Sequence, residues 1–146
     1  MILEPSRWAP LRPPFRTLAV GLADTEELLN GSKGQPITGR WARLAAATGQ
    51  PSACTSALNR VLVDLRVGLQ LAPSPEGVRV VLTGDPAAYS QDVRAAQALA
   101  LLVEAGGWSR LKRCRRPGCS RVFPDSTNGC SRTGCHVHPA RPRSTS

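Results

Sequence analysis

Apolar positions along the chain fall into helical stripes separated by glycine and proline, with one short stretch of alternation. Asp24-Thr-Glu-Glu-Leu-Leu-Asn30 before Gly31 predicts a short helix, with Asp24 as cap, Glu27 at the capping-box position and Gly31 as stop. Ser32 to Thr38 predicts a loop. Arg40 to Ala47, closed by Gly49, predicts a second helix whose Trp41, Leu44 and Ala45 share a stripe. Ser52 to Arg66 predicts a third, with Ala57, Leu58, Val61, Leu62 and Leu65 on one face and Cys54 as a buried structural thiol near its start. Val67–Ala72 and Val78–Leu82 predict a β-hairpin around a proline-rich turn.

Ser90 to Ala105 predicts the most deeply buried helix. From Ala95 to Val103 it is apolar nearly all round, so it belongs in a core, packed against the third helix and the hairpin. Gly106-Gly107 ends it, and a short basic approach leads straight into Cys114. The expected class is α+β. The expected organisation is a proline-rich arm over 1–16, a mostly helical domain with one hairpin over 17–109, a small cysteine-bearing module over 110–138 and a basic tail over 139–146.

Hydrophobic residues make up 41% of the 146, enough for a core, but aromatics only 4%, so that core is aliphatic. No run of 18 apolar residues suggests a membrane span. The opening segment has prolines at 5, 10, 13 and 14 and no apolar stretch of the signal-peptide kind, so a reducing, cytoplasmic setting is expected. The net charge of +9 is uneven: residues 1–109 contribute +1 and residues 110–146 contribute +8. A basic appendage on a nearly neutral body suggests a polyanionic partner.

The chemistry lies in that appendage. Cys114, Cys119, Cys130 and Cys135 read C-x4-C-x10-C-x4-C, two pairs each bracketing a turn-prone segment. Zinc takes four soft ligands at tetrahedral corners, and two such turns supply two edges. Two disulfides are the alternative, which an oxidising compartment would favour. Arg113, Arg115, Arg116, Arg121 and Arg132 cluster around these cysteines, and planar guanidinium forks suit phosphates and guanine edges. The chain has no Gly-rich phosphate loop, no Gly-x-Ser-x-Gly and no paired-carboxylate motif, so catalysis is not expected. Asp125, the single acid after residue 109, reads as a turn cap.

Leu101–Cys114, followed by Pro117-Gly118-Cys119, Val122-Phe123 and Asp125, resembles the CGNR zinc-finger family, whose N-terminal part is the ABATE domain. The likeness runs over residues 90–135 and more weakly over 52–89. That family is regarded as stress-induced transcription regulators. The resemblance therefore implies zinc, double-stranded DNA as partner, and an upstream domain that senses a small-molecule effector or mediates homodimerisation. The finger as a structural zinc clip between proteins, without DNA, is the second reading.

The end of the chain departs from the family. Without a gap, Cys135 aligns as the third ligand, and Ala140 stands where the fourth cysteine is expected. His138, three residues after Cys135, is then the alternative ligand. With a gap, Cys130 and Cys135 complete a four-thiolate set, the preferred reading on ligand count alone.

Overall fold

The computed structural model describes residues 18–31, 37, 39–85, 90–127 and 129–138. The arm over 1–16, the tail over 139–146 and the loop from Ser32 to Thr38, apart from Ile37, lie outside them. The architecture is α+β: among the described residues, four helices, a β-hairpin and a small two-stranded sheet whose loops carry the C-terminal cysteines.

Helix α1 spans Ala19–Asn30 and begins five residues before Asp24. Asp24 is therefore not its cap. Its Oδ2 accepts from Arg94 Nε at 2.9 Å, and Glu27 accepts from Gln91 at 3.1 Å. Both acids face the long fourth helix. Gly31 ends α1 with φ 75°, its N–H bonding to Glu27 O at 2.8 Å. Helix α2 (Gly39–Ala47) buries Trp41 and Leu44, and Trp41 Nε1 donates to Asp92 Oδ1 at 3.2 Å. Gly49, φ 94°, turns the chain into α3 (Pro51–Asp64), which opens on a proline. Leu58, Val61 and Leu65 are buried on the expected face, and Cys54 is buried with its thiol 3.1 Å from Ala47 O. Burial pushes that thiol's pKa up, consistent with a structural role.

Strands β1 (Gly68–Ser74) and β2 (Gly77–Thr83) form the hairpin, in register Leu69↔Leu82 and Leu71↔Val80. It stands away from the core: Leu69 and Leu71 are each 70% exposed and Val78 65%. Helix α4 spans Ser90–Gly106 and buries Ala95, Ala96, Ala98, Leu99 and Leu102. Its principal neighbour is α1, α3 is a lesser one, and the hairpin is not among its main partners. The small residue Gly21 makes the α1–α4 approach possible, because a Cβ there would lie 2.6 Å from Ala98 Cβ and 2.9 Å from Arg94 O. Thr25 Oγ1, also fully buried, sits 3.0 Å from Ala95 O on the same seam. Leu99→Ala should cost about 2–5 kcal/mol of stability in denaturant unfolding, since this fully enclosed site cannot collapse around the missing atoms.

Gly107, φ 78°, ends α4, and a 3-10 turn over Trp108–Arg110 leads into β3 (Leu111–Arg113), which pairs with β4 (Val122–Pro124). Trp108 Nε1 donates to Thr55 Oγ1 at 2.9 Å, fixing the turn against α3. Leu111 and Val122 belong to the same apolar core as the helices. The cysteine-bearing sheet is thus rooted in the helical body. Among the described residues no helix is long and apolar enough to cross a membrane.

Candidate metal centre

Two short turns converge on one point. The first joins β3 to β4 and carries Cys114 and Cys119. Cys114 N–H bonds to Arg121 O at 2.9 Å, Cys119 N–H to Arg116 O at 3.0 Å, and Gly118 takes φ 81° at the bend. The second turn carries Cys135 and His138, closed by His138 N–H to Cys135 O at 3.0 Å. Arg115 N–H donates to Thr133 O at 3.0 Å and ties the two turns together.

The ligand atoms of Cys114, Cys119, Cys135 and His138 all lie within 4.8 Å of one another. Cys119 Sγ is 3.9 Å from Cys135 Sγ, and His138 Nδ1 is 3.9 Å from Cys114 Sγ and 3.6 Å from Cys135 Sγ. A tetrahedral ion with bonds near 2.3 Å to sulfur and 2.0–2.1 Å to nitrogen separates its ligands by about 3.5–3.8 Å. These three edges lie close to that figure, the remaining ones are no longer than 4.8 Å, and all the cysteines are free thiols rather than disulfides. This cluster could hold a metal ion.

The four-thiolate set therefore does not assemble: Cys130 is not in the cluster. It adopts φ 51°, in the left-handed region, and its Sγ faces Ser109 O at 3.6 Å. The physical reason is the loop that carries it. Lys112 Nζ holds Cys130 O and Arg132 O, and winds that loop around Asp125 instead of toward the sulfurs. The fourth position falls to His138.

The surroundings suit thiolates. Cys114 and Cys135 are buried in one apolar cluster with the fully buried Phe123, and Cys119 packs against it. Backbone N–H groups of Cys135 and Arg116 draw the Cys114 thiol down to a pKa of about 6. At Cys119 the Arg121 N–H pulls the same way, but burial and the neighbouring Cys114 and Cys135 sulfurs outweigh it, and its pKa is raised. Crowded sulfurs that resist shared ionisation are what a cation at their centre would relieve.

Asp125 is wholly buried below the cluster. It accepts from Lys112 Nζ at 2.7 Å, Thr127 N at 2.9 Å, Thr127 Oγ1 at 2.6 Å and Arg132 N at 2.9 Å. The expected turn cap is there, and it also anchors β3 to the ligand-bearing loop. Burial alone would raise its pKa, but these bonds, Lys112 first, bring it down to about 2.

The five arginines separate into two groups. Arg115 and Arg116 are exposed on the first turn, and Arg113 is exposed with its guanidinium donating to Ala45 O, at the end of α2, at 3.1 Å. Arg121 and Arg132 turn inward. Arg132 donates to Glu26 Oε1 at 3.0 Å and stacks 4.5 Å over Phe123, while Arg121 lies 3.8 Å from Glu26. These two fasten the finger to α1 and do not join the outward-facing group. Glu26 and Asn30 carry this fastening, and Lys112 holds the loop within the finger. Only Lys112 lies near the cysteines in sequence; nothing local marks the other two. No family model matches the chain, and no curated protein matches it either.

Proposed function

We propose that the chain is a zinc-binding protein that contacts double-stranded nucleic acid, with the CGNR-type finger as its regulatory module. The observation that carries the metal part is the tetrahedral spacing of Cys114, Cys119, Cys135 and His138. Three thiolates with one imidazole form a closed, fully protein-ligated set typical of structural zinc. Zinc bound there would neutralise thiolate charge and lock two turns too small to fold alone. Participation of Cys135 with His138 supports the ungapped reading of the family resemblance.

The nucleic-acid part rests on Arg113, Arg115 and Arg116, which are exposed together in the last quarter of the chain, where nearly all the net charge lies. Arg115 and Arg116 have no ion pair or side-chain hydrogen bond among the described residues, so both forks are open to phosphate. Replacing both with Ala should weaken duplex binding and flatten its salt dependence by a slope of roughly 1.8, two phosphate contacts' worth. Zinc-free protein should bind more weakly as well. A mobility-shift titration at two salt concentrations reads all three. Equal binding by zinc-free protein would reduce the effect to a sticky basic segment.

The finger as a protein-interaction clip is favoured by one observation: Leu69, Leu71 and Val78 expose an apolar hairpin face while two of five arginines are withdrawn. Failure to bind any duplex at low salt would put that reading first.

A further inference from the structure

The turn that supplies two of the four ligands has little to hold it. It belongs to no strand, and among the described residues the backbone bond that closes it is His138 N–H to Cys135 O. Yet the residues on both sides of Cys135 are tied to one distant group. His136 N–H donates to Glu26 Oε2 at 2.9 Å, and the His136 ring contacts the same oxygen. Glu26 Oε1 accepts from Arg132, whose Nε in turn donates to Gly134 O at 2.7 Å. Cys135 is bracketed by His136 directly and by Gly134 through Arg132.

Glu26 cannot follow a wandering turn. It is 5% exposed, on a helix locked to α4 by the Gly21–Ala98 approach, Thr25 and the Asp24–Arg94 pair. One helical turn further on, Asn30 grips both backbone groups of Val122, accepting its N–H and donating to its C=O, each at 2.7 Å. Burying a carboxylate is costly unless its oxygens are fully used. Here they are, and mostly on the ligand turn.

We propose that Glu26 is the positioning residue of the metal centre: its carboxylate sets the Cys135–His138 turn from α1, and metal binding is thereby linked to the seating of that helix. The inference rests on the metal-centre reading above. Outer-shell partners that orient ligands typically contribute 10–100-fold in metal affinity. The sign separates positioning from simple charge. A carboxylate near thiolates opposes their ionisation, so a purely Coulombic role would make its removal tighten metal binding. Linkage also requires reciprocity: if α1 favours the metal, the metal favours α1.

The test uses the full chain, with zinc affinity measured by competition against a chromophoric chelator and the ligand set read from cobalt(II) absorption. Glu26→Ala should bind zinc about 10–100-fold more weakly and show altered cobalt bands. Glu26→Gln keeps an oxygen for the His136 N–H and should stay within about threefold of wild type, a rescue to near the outer-shell baseline. Asn30→Ala, which frees Val122 from α1 without touching the ligand turn, should lower thermal stability and weaken zinc binding far less than Glu26→Ala does. Unchanged or tighter zinc binding in Glu26→Ala, or equal losses in Asn30→Ala, would overturn the proposal. Should Glu26→Ala not fold, the wild-type chain still decides it: added zinc should slow amide hydrogen exchange in Ala19–Asn30 as well as in 114–138. Protection confined to 114–138 would overturn the linkage. Absence of sulfur-to-cobalt charge-transfer bands in the wild type would instead sink the metal reading itself.

Discussion

Chelating the metal, or replacing Cys114, Cys119, Cys135 or His138 singly, should unfold 114–138 and also lower the melting temperature of the helical body. Beyond Phe123 the loop has little apolar interior of its own, so on the proposed metal reading zinc binding, roughly 10–16 kcal/mol in finger peptides, would supply most of what folds it. Composition alone suggests that the helices would be indifferent to this loss. The shared core argues otherwise: Leu111 and Val122 lie in it, and Asn30 and Glu26 are both occupied by finger residues. When the finger opens, those contacts are lost and a buried carboxylate loses its donors. Metal analysis of the reduced protein should give one zinc per chain. Thermal melts with and without chelator should differ across the helical circular-dichroism signal. Each ligand substitution should cost more than the roughly 10–100-fold expected of outer-shell changes. Cys130→Ser should leave zinc affinity unchanged. If Cys130→Ser loses zinc and His138→Ala keeps it, the four-thiolate set is the right one.

The helices α2, α3 and α4 and the hairpin were legible because glycine and proline punctuate them and their apolar residues recur at the proper period. Helix α1 was misjudged at its start. Asp24-x-x-Glu27 has the form of a capping box, but both side chains serve Arg94 and Gln91 on α4. The same local pattern satisfies a cap or a tertiary pair, and the sequence does not separate them. The packing partner of α4 was missed for a related reason: Gly21 reads as a weak point in a helix, and only the distance to Ala98 shows it to be the contact.

The centre was half legible. Cysteine spacing pointed to a candidate metal site and named three of the four residues that cluster there, with His138 in view as the alternative. Choosing between Cys130 and His138 depends on which way the loop over 129–132 winds, and that is set by Lys112 and Asp125. Charge was least informative. Arg121 and Arg132 look like Arg115 and Arg116 in sequence, and what distinguishes them is Glu26, some hundred residues away.

Asp125→Ala should be among the most damaging single changes in the finger. The carboxylate is wholly buried and collects two backbone N–H groups, one hydroxyl and the Lys112 ammonium. Its own N–H also bonds to Arg110 O at 2.7 Å, so one residue ties the approach strand to the ligand loop. Breaking a buried pair from one side costs about 3–5 kcal/mol. The lower end applies here, because Lys112 is 24% exposed and keeps two carbonyl acceptors. Asp125→Asn should not rescue, since its amide would set donors against Lys112 and the Arg132 N–H. Because the folded pKa is depressed to about 2 from 3.8, this stabilisation is fully present above the unfolded value and is lost as pH falls through the folded one. The shift corresponds to about 2 kcal/mol. In zinc-saturated protein the stability gap between wild type and Asp125→Asn should stay constant from about pH 8 to pH 5, then close as acid protonates the carboxylate. Chemical denaturation across that range measures it. A neutral-pH gap below about 1 kcal/mol, the size of an ordinary single hydrogen bond, would mean that Asp125 does not hold the loop.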